Sequence, residues 1–157
     1  MKNLCTPFLC VCLFVCSIDA TAQDQKVPIN ERDYNKPKLF QGLPEKISFN
    51  PDNFLGSLNK QTGSTISANL STDSQVTFEG KLVSNNTSAD GRVQSILISS
   101  TNFTGATFSL SKIVNTDGTI RYNGRLLSLK HGDLFVLEQT EGHYVLVKKN
   151  YYDLVNE

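Results

Sequence analysis

All four cysteines of the chain lie near its start, at positions 5, 10, 12 and 16. Cysteine side chains can bind zinc, but Cys10 and Cys12 have no histidine or second cysteine pair nearby to complete a tetrahedral site. Leu13 lies three residues before Cys16, a spacing typical of lipid attachment, yet Val15 stands where that processing needs a small residue. The sequence therefore predicts neither a zinc site nor a lipid anchor at Cys16.

The cysteines belong to an apolar segment, residues 4–18, that follows a short basic start. Ala20 and Ala22 have the small side chains that a signal peptidase recognises, and Gln23 would follow the cut. A transmembrane helix needs about 20 apolar residues, so this segment is too short to be one. We interpret residues 1–22 as a signal peptide and expect an exported protein, periplasmic or secreted. Its mature form would have no transmembrane segment and no cysteine, which is typical of bacterial rather than eukaryotic exported domains.

The two histidines lie beside carboxylates, in the triplets HGD at 131–133 and EGH at 141–143. Histidine and a carboxylate can bind a metal ion together or act as a base and its orienting group. In the hairpin predicted here, His143 lies opposite Glu138, and His131 lies seven residues away along the partner strand. At about 3.3 Å per residue the two rings are more than ~20 Å apart, too far to share one metal ion. We interpret both histidines as turn or edge residues.

Other catalytic patterns are absent from the sequence, including the G-x-S-x-G elbow, the phosphate-binding G-x-x-x-x-G-K-[ST] and the dinucleotide-binding G-x-G-x-x-G. The acidic residues are scattered among predicted turns, as at Asp90, Asp117 and Glu141, rather than paired as glycoside hydrolysis requires. The sequence therefore predicts no catalytic, cofactor-binding or metal-binding residue, and it favours a protein that is not an enzyme.

The charge pattern excludes one class of partner. The chain has 15 lysines and arginines against 15 aspartates and glutamates, a net charge of +0. Its longest basic cluster is the pair Lys148-Lys149, whereas a nucleic-acid surface needs a basic stripe. We therefore expect no nucleic-acid partner.

The elements that would position any site are predicted mostly as strands. From residue 64 onward, apolar and polar residues alternate in short runs that recur about every 8–12 residues. Turn residues separate these runs, and Asp117-Gly118 is the strongest hairpin signal. This pattern predicts an all-β antiparallel meander of about seven to eight strands that forms a small barrel or a sandwich. The apolar side chains predicted to point inward include Phe78, Ile96, Phe108 and Phe135.

One short helix is predicted near residues 51–60. Asn50 can cap its start, and Pro51 suits the first helical position. Gly63 can end the segment with a positive φ. At about ten residues this helix is too short to be stable alone in water, so we expect it to dock on the sheet.

A glycine also interrupts the strand pattern just after the hairpin predicted at Asp117-Gly118. Asn123-Gly124 lies between apolar residues that otherwise continue one strand. The pair is consistent with another tight turn or with a β-bulge that holds a positive φ, and we favour the bulge because residues 120–122 alone make a short strand.

The segment after the predicted leader has a different composition. Residues 23–44 are polar and contain three prolines, and no apolar pattern is visible before Leu39-Phe40. We interpret 23–44 as a flexible lead-in in which Leu39-Phe40 first contacts the core, and 45–157 as a single β-domain.

These observations favour a non-catalytic exported β-domain that is structural or binds a protein partner, for example through an edge strand. The alternative is a small-ligand-binding barrel or a hydrolase built around the inward apolar side chains. An interior cavity that reaches solvent would favour the alternative, whereas a packed interior would favour the first interpretation.

Overall fold

The computed structural model describes residues 36–73 and 76–151, and these form eight strands and one short helical segment. The helix α1 (Asp52–Leu55) continues directly into a 3₁₀ turn (Gly56–Asn59). The strands are β1 (Lys46–Phe49), β2 (Thr65–Asn69), β3 (Thr77–Thr87), β4 (Val93–Ser100), β5 (Thr107–Val114), β6 (Ile120–Ser128), β7 (Asp133–Thr140) and β8 (His143–Asn150).

Several predicted features fall outside the described residues. These are the signal peptide at 1–22, the lead-in up to residue 35, Cys16, and the cleavage-site residues Ala20, Ala22 and Gln23. Within the two described ranges, no helix has the length and apolar character needed to span a bilayer.

The described strands form one antiparallel sheet in the order β1-β8-β7-β6-β5-β4-β3-β2. From β2 to β8 each strand pairs with the next along the chain, as the regular turn signals predict. β1 departs from this order because it pairs with β8, the last strand. The sheet curls into a half-barrel, so the predicted all-β antiparallel meander with one short helix is confirmed. It is one curled sheet rather than a sandwich of two.

Phenylalanine rings fill the interior of the half-barrel. The ring centroid of Phe108 lies 4.9 Å from that of Phe54 and 5.5 Å from that of Phe78. Phe49 packs on the same ring at 5.9 Å. Burying each such side chain contributes about 1.5–3 kcal/mol to stability. The inward side chains predicted from the alternation all lie in this core: Phe78, Ile96, Phe108 and Phe135.

The helical segment between β1 and β2 docks on this core through Phe54, which is fully buried. Asn50 Oδ1 accepts the Asp52 N–H at 3.0 Å, as predicted for a residue that starts a helix. Only four residues are α-helical, and the chain tightens to 3₁₀ geometry at Gly56, a poor helix former. Gly63 has the predicted positive φ, 90°, in the turn before β2.

The two edge strands of the half-barrel, β1 and β2, are linked through loop and helix residues and not by strand-to-strand hydrogen bonds. Thr72, which follows β2, donates its N–H to the Ser48 carbonyl on β1 at 3.0 Å. The hydroxyls of the same two residues are 2.8 Å apart. Asn53 Nδ2 donates to the Asn69 carbonyl at 3.0 Å, which ties the helix to β2. The sheet therefore stays open between β1 and β2.

Residues 36–45, which we call the strap, are tied to the start of β7. Asp133, only 6% exposed, accepts the N–H groups of Leu39 and Phe40, the second at 3.0 Å. Phe40 is fully buried, and its ring centroid lies 5.6 Å from that of Phe135. The predicted contact of Leu39-Phe40 with the core is therefore present.

The strap is also tied to the end of β8. Lys148 Nζ donates to the Leu43 carbonyl at 2.9 Å and to Glu45 Oε1 at 3.0 Å. Its ammonium group lies 5.8 Å above the ring of Phe135, within the range of a cation–π contact. Lys148 therefore bonds to protein groups rather than only to water.

The predicted bulge at Asn123-Gly124 is wrong. β6 pairs with β5 along its length without a register shift. Gly124 instead marks a close approach of the strands, because a Cβ there would lie 3.0 Å from the Ser109 carbonyl oxygen. The register shift of the sheet lies in β3, between Leu82 and Ser84.

Candidate functional site

The pairing between β6 and β7 stops halfway along both strands. β6 pairs with β5 along its length, but it pairs with β7 only over residues 125–128. Their partners are residues 133–136, and the rest of β7 pairs with β8 alone. Beyond this ladder the two strands separate, and we call the space between residues 120–124 and 137–140 the β6–β7 cleft.

Tyr144 reaches into this cleft from β8. Asn115 donates to the Thr119 carbonyl between β5 and β6, so the alternation of an antiparallel ladder turns the backbone of Tyr122 away from β5 and into the cleft. There the Tyr122 N–H donates to Tyr144 Oη at 3.1 Å. The two rings meet edge to face, with centroids 5.5 Å apart. The Tyr144 hydroxyl thus replaces one acceptor that β7 would supply in a complete ladder.

The environment of Tyr122 keeps its own hydroxyl neutral. Burial raises the pKa of the Tyr122 hydroxyl above its usual value, and the Asp52 carboxylate and Tyr144 raise it further. A protonated tyrosine can donate a hydrogen bond at any physiological pH.

The cleft has the size of a binding site, about 580 Å³. A smaller depression of about 310 Å³ shares Asn123 with it. The cleft is lined by Arg121, Tyr122, Asn123, Leu137, Glu138 and Gln139. The depression is lined by Ser109, Ser111, Asn123, Gly124, Arg125 and Val136.

Alternation along β6 gives the cleft two chemically different faces. Tyr122 lies on the core face, beside Ile120, which is 50% exposed where the strand begins. Arg121, Asn123 and Arg125 point to the outer face, and the two arginines carry the charge there. Their partners on β5 are uncharged. Side chains of these types can form hydrogen bonds, ion pairs and apolar contacts with a ligand.

The outer face carries positive charge without a partner. Arg121 and Arg125 are exposed, and neither forms an ion pair with a described residue. On the opposite side of the cleft, Glu138 Oε1 lies 2.9 Å from Lys149 Nζ. The one carboxylate that lines the cleft is therefore already neutralised, and the two guanidinium groups are not.

A second cavity, of about 570 Å³, lies beside the strap and is lined largely by charged side chains. Lys38 Nζ lies 3.8 Å from Asp133 Oδ1, and Lys148 Nζ lies 3.0 Å from Glu45 Oε1. These charges pair with one another and hold the strap against the sheet. Their contacts account for this cavity as a structural junction.

The histidines lie at opposite ends of β7. His131 Nδ1 is 2.7 Å from Ser128 Oγ, which also donates to the Gly105 carbonyl at 3.3 Å. Because Ser128 is fully buried, this contact stabilises the turn between β6 and β7 and does not present a nucleophile to solvent. Within the described residues, no three His, Cys, Asp or Glu side chains are grouped closely enough to hold a metal ion.

The predicted partner of His143 is wrong by two residues along β7. His143 lies opposite Thr140 rather than Glu138, because the loop contains only Glu141 and Gly142. Both loop residues have positive φ, 51° and 82°, as a two-residue hairpin turn requires. Along β7 His131 lies nine residues from Thr140 (131 to 140) rather than the seven predicted, so the two histidines are still too far apart to share one metal ion.

Sequence reasoning missed the residues of the cleft. Arg121, Asn123 and Arg125 form an R-x-N-x-R alternation directly after a strong hairpin turn, and this places them on one face of a strand. That signal was available. The end of the β6–β7 ladder had none, because it depends on how the whole sheet curls.

No protein-family model, curated protein or solved structure matches this chain. The geometry of the cleft is therefore what indicates a function.

Proposed function

We propose that this chain is a non-catalytic binding domain that takes an extended segment of a partner protein along β6 in the β6–β7 cleft, and that it acts outside the cytoplasm. One observation carries the proposal. The β6–β7 ladder ends at the pair of Arg125 and Val136, although both strands continue for several residues beyond it.

Strand addition is the binding mode that such an edge supports. A partner segment can supply the backbone acceptors and donors that β7 does not supply, and each hydrogen bond is worth about 0.5–1.5 kcal/mol net. At Tyr122 a peptide carbonyl would take the place of the Tyr144 hydroxyl, one acceptor for another. The neighbouring side chains then contact alternate residues of the segment.

The other free edges of the sheet are less suited to a partner. The edge of β1 is occupied at Ser48 by Thr72. The edge of β2 carries no charged side chain, with Thr65 and Ser67 exposed and the Asn69 carbonyl bonded to Asn53. β2 therefore provides the matched control for a test of β6.

Export is supported by the leader-like composition of residues 1–22 and by the absence of cysteine from residue 17 onward. The mass of the protein recovered outside the cytoplasm tests this part of the proposal. A chain that begins at Gln23 is expected, and one that retains Cys16 would contradict it.

The binding mode is tested with a library of nine-residue peptides screened against the exported protein. Peptides are expected to bind the wild type, and Ile120→Pro should weaken them at least tenfold. Proline at this first strand position removes a cleft-facing N–H without breaking the β5 ladder. Ser67→Pro makes the same change at the β2 edge and should leave affinity unchanged.

N-methylation of the bound peptide separates backbone pairing from side-chain contact. Two versions of the peptide are compared, one methylated at the odd-numbered residues and one at the even-numbered residues. One version should lose binding and the other should keep it, because only alternate N–H groups of the peptide face β6. Binding that Ile120→Pro leaves unchanged would contradict the proposal, and so would binding that is lost in Ser67→Pro instead. A library in which Ile120→Pro weakens the binding of no peptide would also contradict it.

A further inference from the structure

The chemistry of the cleft also specifies what kind of segment it accepts, given the proposed function on which this inference rests. We infer that the bound segment alternates acidic with apolar side chains, with the acidic ones on the outer face of the sheet. The acidic positions are inferred from the charges on β6 and from the ion-paired carboxylate on β7. The apolar positions are inferred from the core-facing side chains of the cleft.

The outer face of β6 offers two unpaired guanidinium groups in line. Arg121 and Arg125 lie four residues apart on the same face, so about 13 Å separates them, with Asn123 between. A residue paired opposite Arg121 would place its side chain about 4.5–5.5 Å away, measured between Cβ atoms. The next outward residue of the segment would lie opposite Asn123 and diagonal to both arginines, about 7–8 Å from each, within reach of long side chains.

Carboxylates match both of these outward positions. A guanidinium group binds a carboxylate with two parallel hydrogen bonds, a geometry that an amide or an ammonium partner cannot reproduce. Glu138, on the β7 side of the cleft, does not repel an acid because Lys149 Nζ lies 2.9 Å from it. An acidic segment therefore meets net positive charge on the outer face.

The core face favours apolar side chains. Ile120 is half exposed at the mouth of the cleft, and the ring of Tyr122 packs against the core. Leu137 lines the opposite side. Leu137 is already buried, so residues of the segment that alternate with the acidic ones would cover Ile120 and the exposed part of the Tyr122 ring and remove that apolar surface from water.

The test uses three nine-residue peptides that differ only in their outward residues: alternating valine and glutamate, valine and glutamine, and valine and lysine. Fluorescence anisotropy with the exported protein is expected to show the glutamate peptide at least tenfold tighter than the glutamine peptide, with the lysine peptide weakest. Raising the salt concentration should narrow these differences, because the arginines are exposed.

Variants of the protein locate the effect. The double substitution Arg121→Gln and Arg125→Gln should lower affinity for the glutamate peptide to that of the glutamine peptide. Arg92→Gln is the control, since Arg92 is also exposed but lies in the β3–β4 turn beside Asp90. A blocked peptide with the same valines and glutamates in two separate runs should bind at least tenfold more weakly than the alternating one.

The outcomes distinguish this inference from the proposed function. Equal affinity for the three peptides, lost on Ile120→Pro, would leave strand addition intact and overturn the acidic preference. Equal affinity for the blocked and alternating peptides would reduce the preference to unspecific charge attraction and also overturn the inference. Arginine-dependent binding of a single-stranded oligonucleotide in place of the peptides would assign the site to phosphate. Failure of every peptide to bind in the cleft would overturn both proposals.

Discussion

At the scale of single residues, the polar side chains mostly complete hydrogen bonds that the sheet leaves open. Tyr144 accepts the Tyr122 N–H where β7 offers no partner, and Asp133 accepts two N–H groups of the strap. No buried side-chain nitrogen or oxygen among the described residues lacks a hydrogen-bond partner. Such satisfaction matters because an unpaired buried polar group costs about 1–3 kcal/mol.

In the hairpin turns, too, side chains accept hydrogen bonds from the backbone. Because some of these acceptors are carboxylates, the stability of the protein depends on pH. Asp117 Oδ1 accepts the Thr119 N–H at 2.9 Å and the Thr119 hydroxyl at 2.6 Å. These two hydrogen bonds, the hydroxyl first, lower the pKa of the Asp117 carboxyl below 3.8. The folded protein then binds fewer protons than the unfolded chain at low pH. The stabilisation is present above pH 3.8 and is lost as the pH falls through the folded-state pKa.

Asp117→Asn is therefore expected to be less stable than the wild type at pH 6 and to approach it at pH 3. Urea unfolding at the two pH values measures the difference. The effect is small because the carboxyl is fully exposed. Asp90→Asn should behave alike, since hydrogen bonds from Ser88 and the Arg92 N–H lower the pKa of Asp90. A stability difference that is the same at both pH values would contradict this assignment.

At the scale of elements, close approach between strands determines where glycine is required. Gly80 on β3 pairs with Ser100 on β4, and a Cβ there would lie 2.5 Å from the Ser99 carbonyl oxygen and 2.7 Å from Ile98 Cγ2. Backbone oxygen cannot move without disturbing the ladder. The β3–β4 pairing, which also contains the register shift between Leu82 and Ser84, therefore depends on the absence of a side chain at Gly80.

Gly80→Ala is expected to lower the free energy of unfolding by about 1–3 kcal/mol, the usual effect of forcing an extra carbon into a packed site. Gly42→Ala is the control, because no atom lies within 4 Å of a Cβ built there. It should be within about 0.5 kcal/mol of the wild type. Denaturant unfolding of both variants makes the comparison, and equal stabilities would show that β3 and β4 can separate at no cost.

At the scale of the whole molecule, long-range side-chain contacts hold the strap against the sheet. Asp133 joins the start of β7 to Leu39 and Phe40, which precede it by more than ninety residues. Lys148 does the same from β8. The strap therefore stays packed although it makes no strand.

Asp133→Ala is expected to destabilise the protein by about 3 kcal/mol, because two hydrogen bonds to a buried carboxylate are lost and two N–H groups lose their acceptor. Hydrogen exchange at the Leu39 and Phe40 amides should accelerate more than exchange in β4. Glu45→Gln, at the exposed end of the strap, is the control and should change stability little. Unchanged exchange at the two amides would show that the strap is held by Phe40 alone.

What the sequence by itself determined were the local features. Side chains alternate across a strand, so the period of two identified the strands and placed Phe78, Ile96, Phe108 and Phe135 inside. Asp117-Gly118 marked its hairpin because only certain residues adopt a positive φ easily, and Gly118 has a φ of 82°. The all-β meander follows from these two rules.

Only the tertiary structure decided the long-range features. It placed β1 beside β8, kept the sheet as one half-barrel, showed that Gly124 is a close approach rather than a bulge, and ended the β6–β7 ladder halfway. Each feature depends on whether neighbouring strands stay within hydrogen-bonding distance as the sheet twists and curls. That distance is set by all eight strands together. The candidate site exists because of that curl, which no stretch of residues specifies alone.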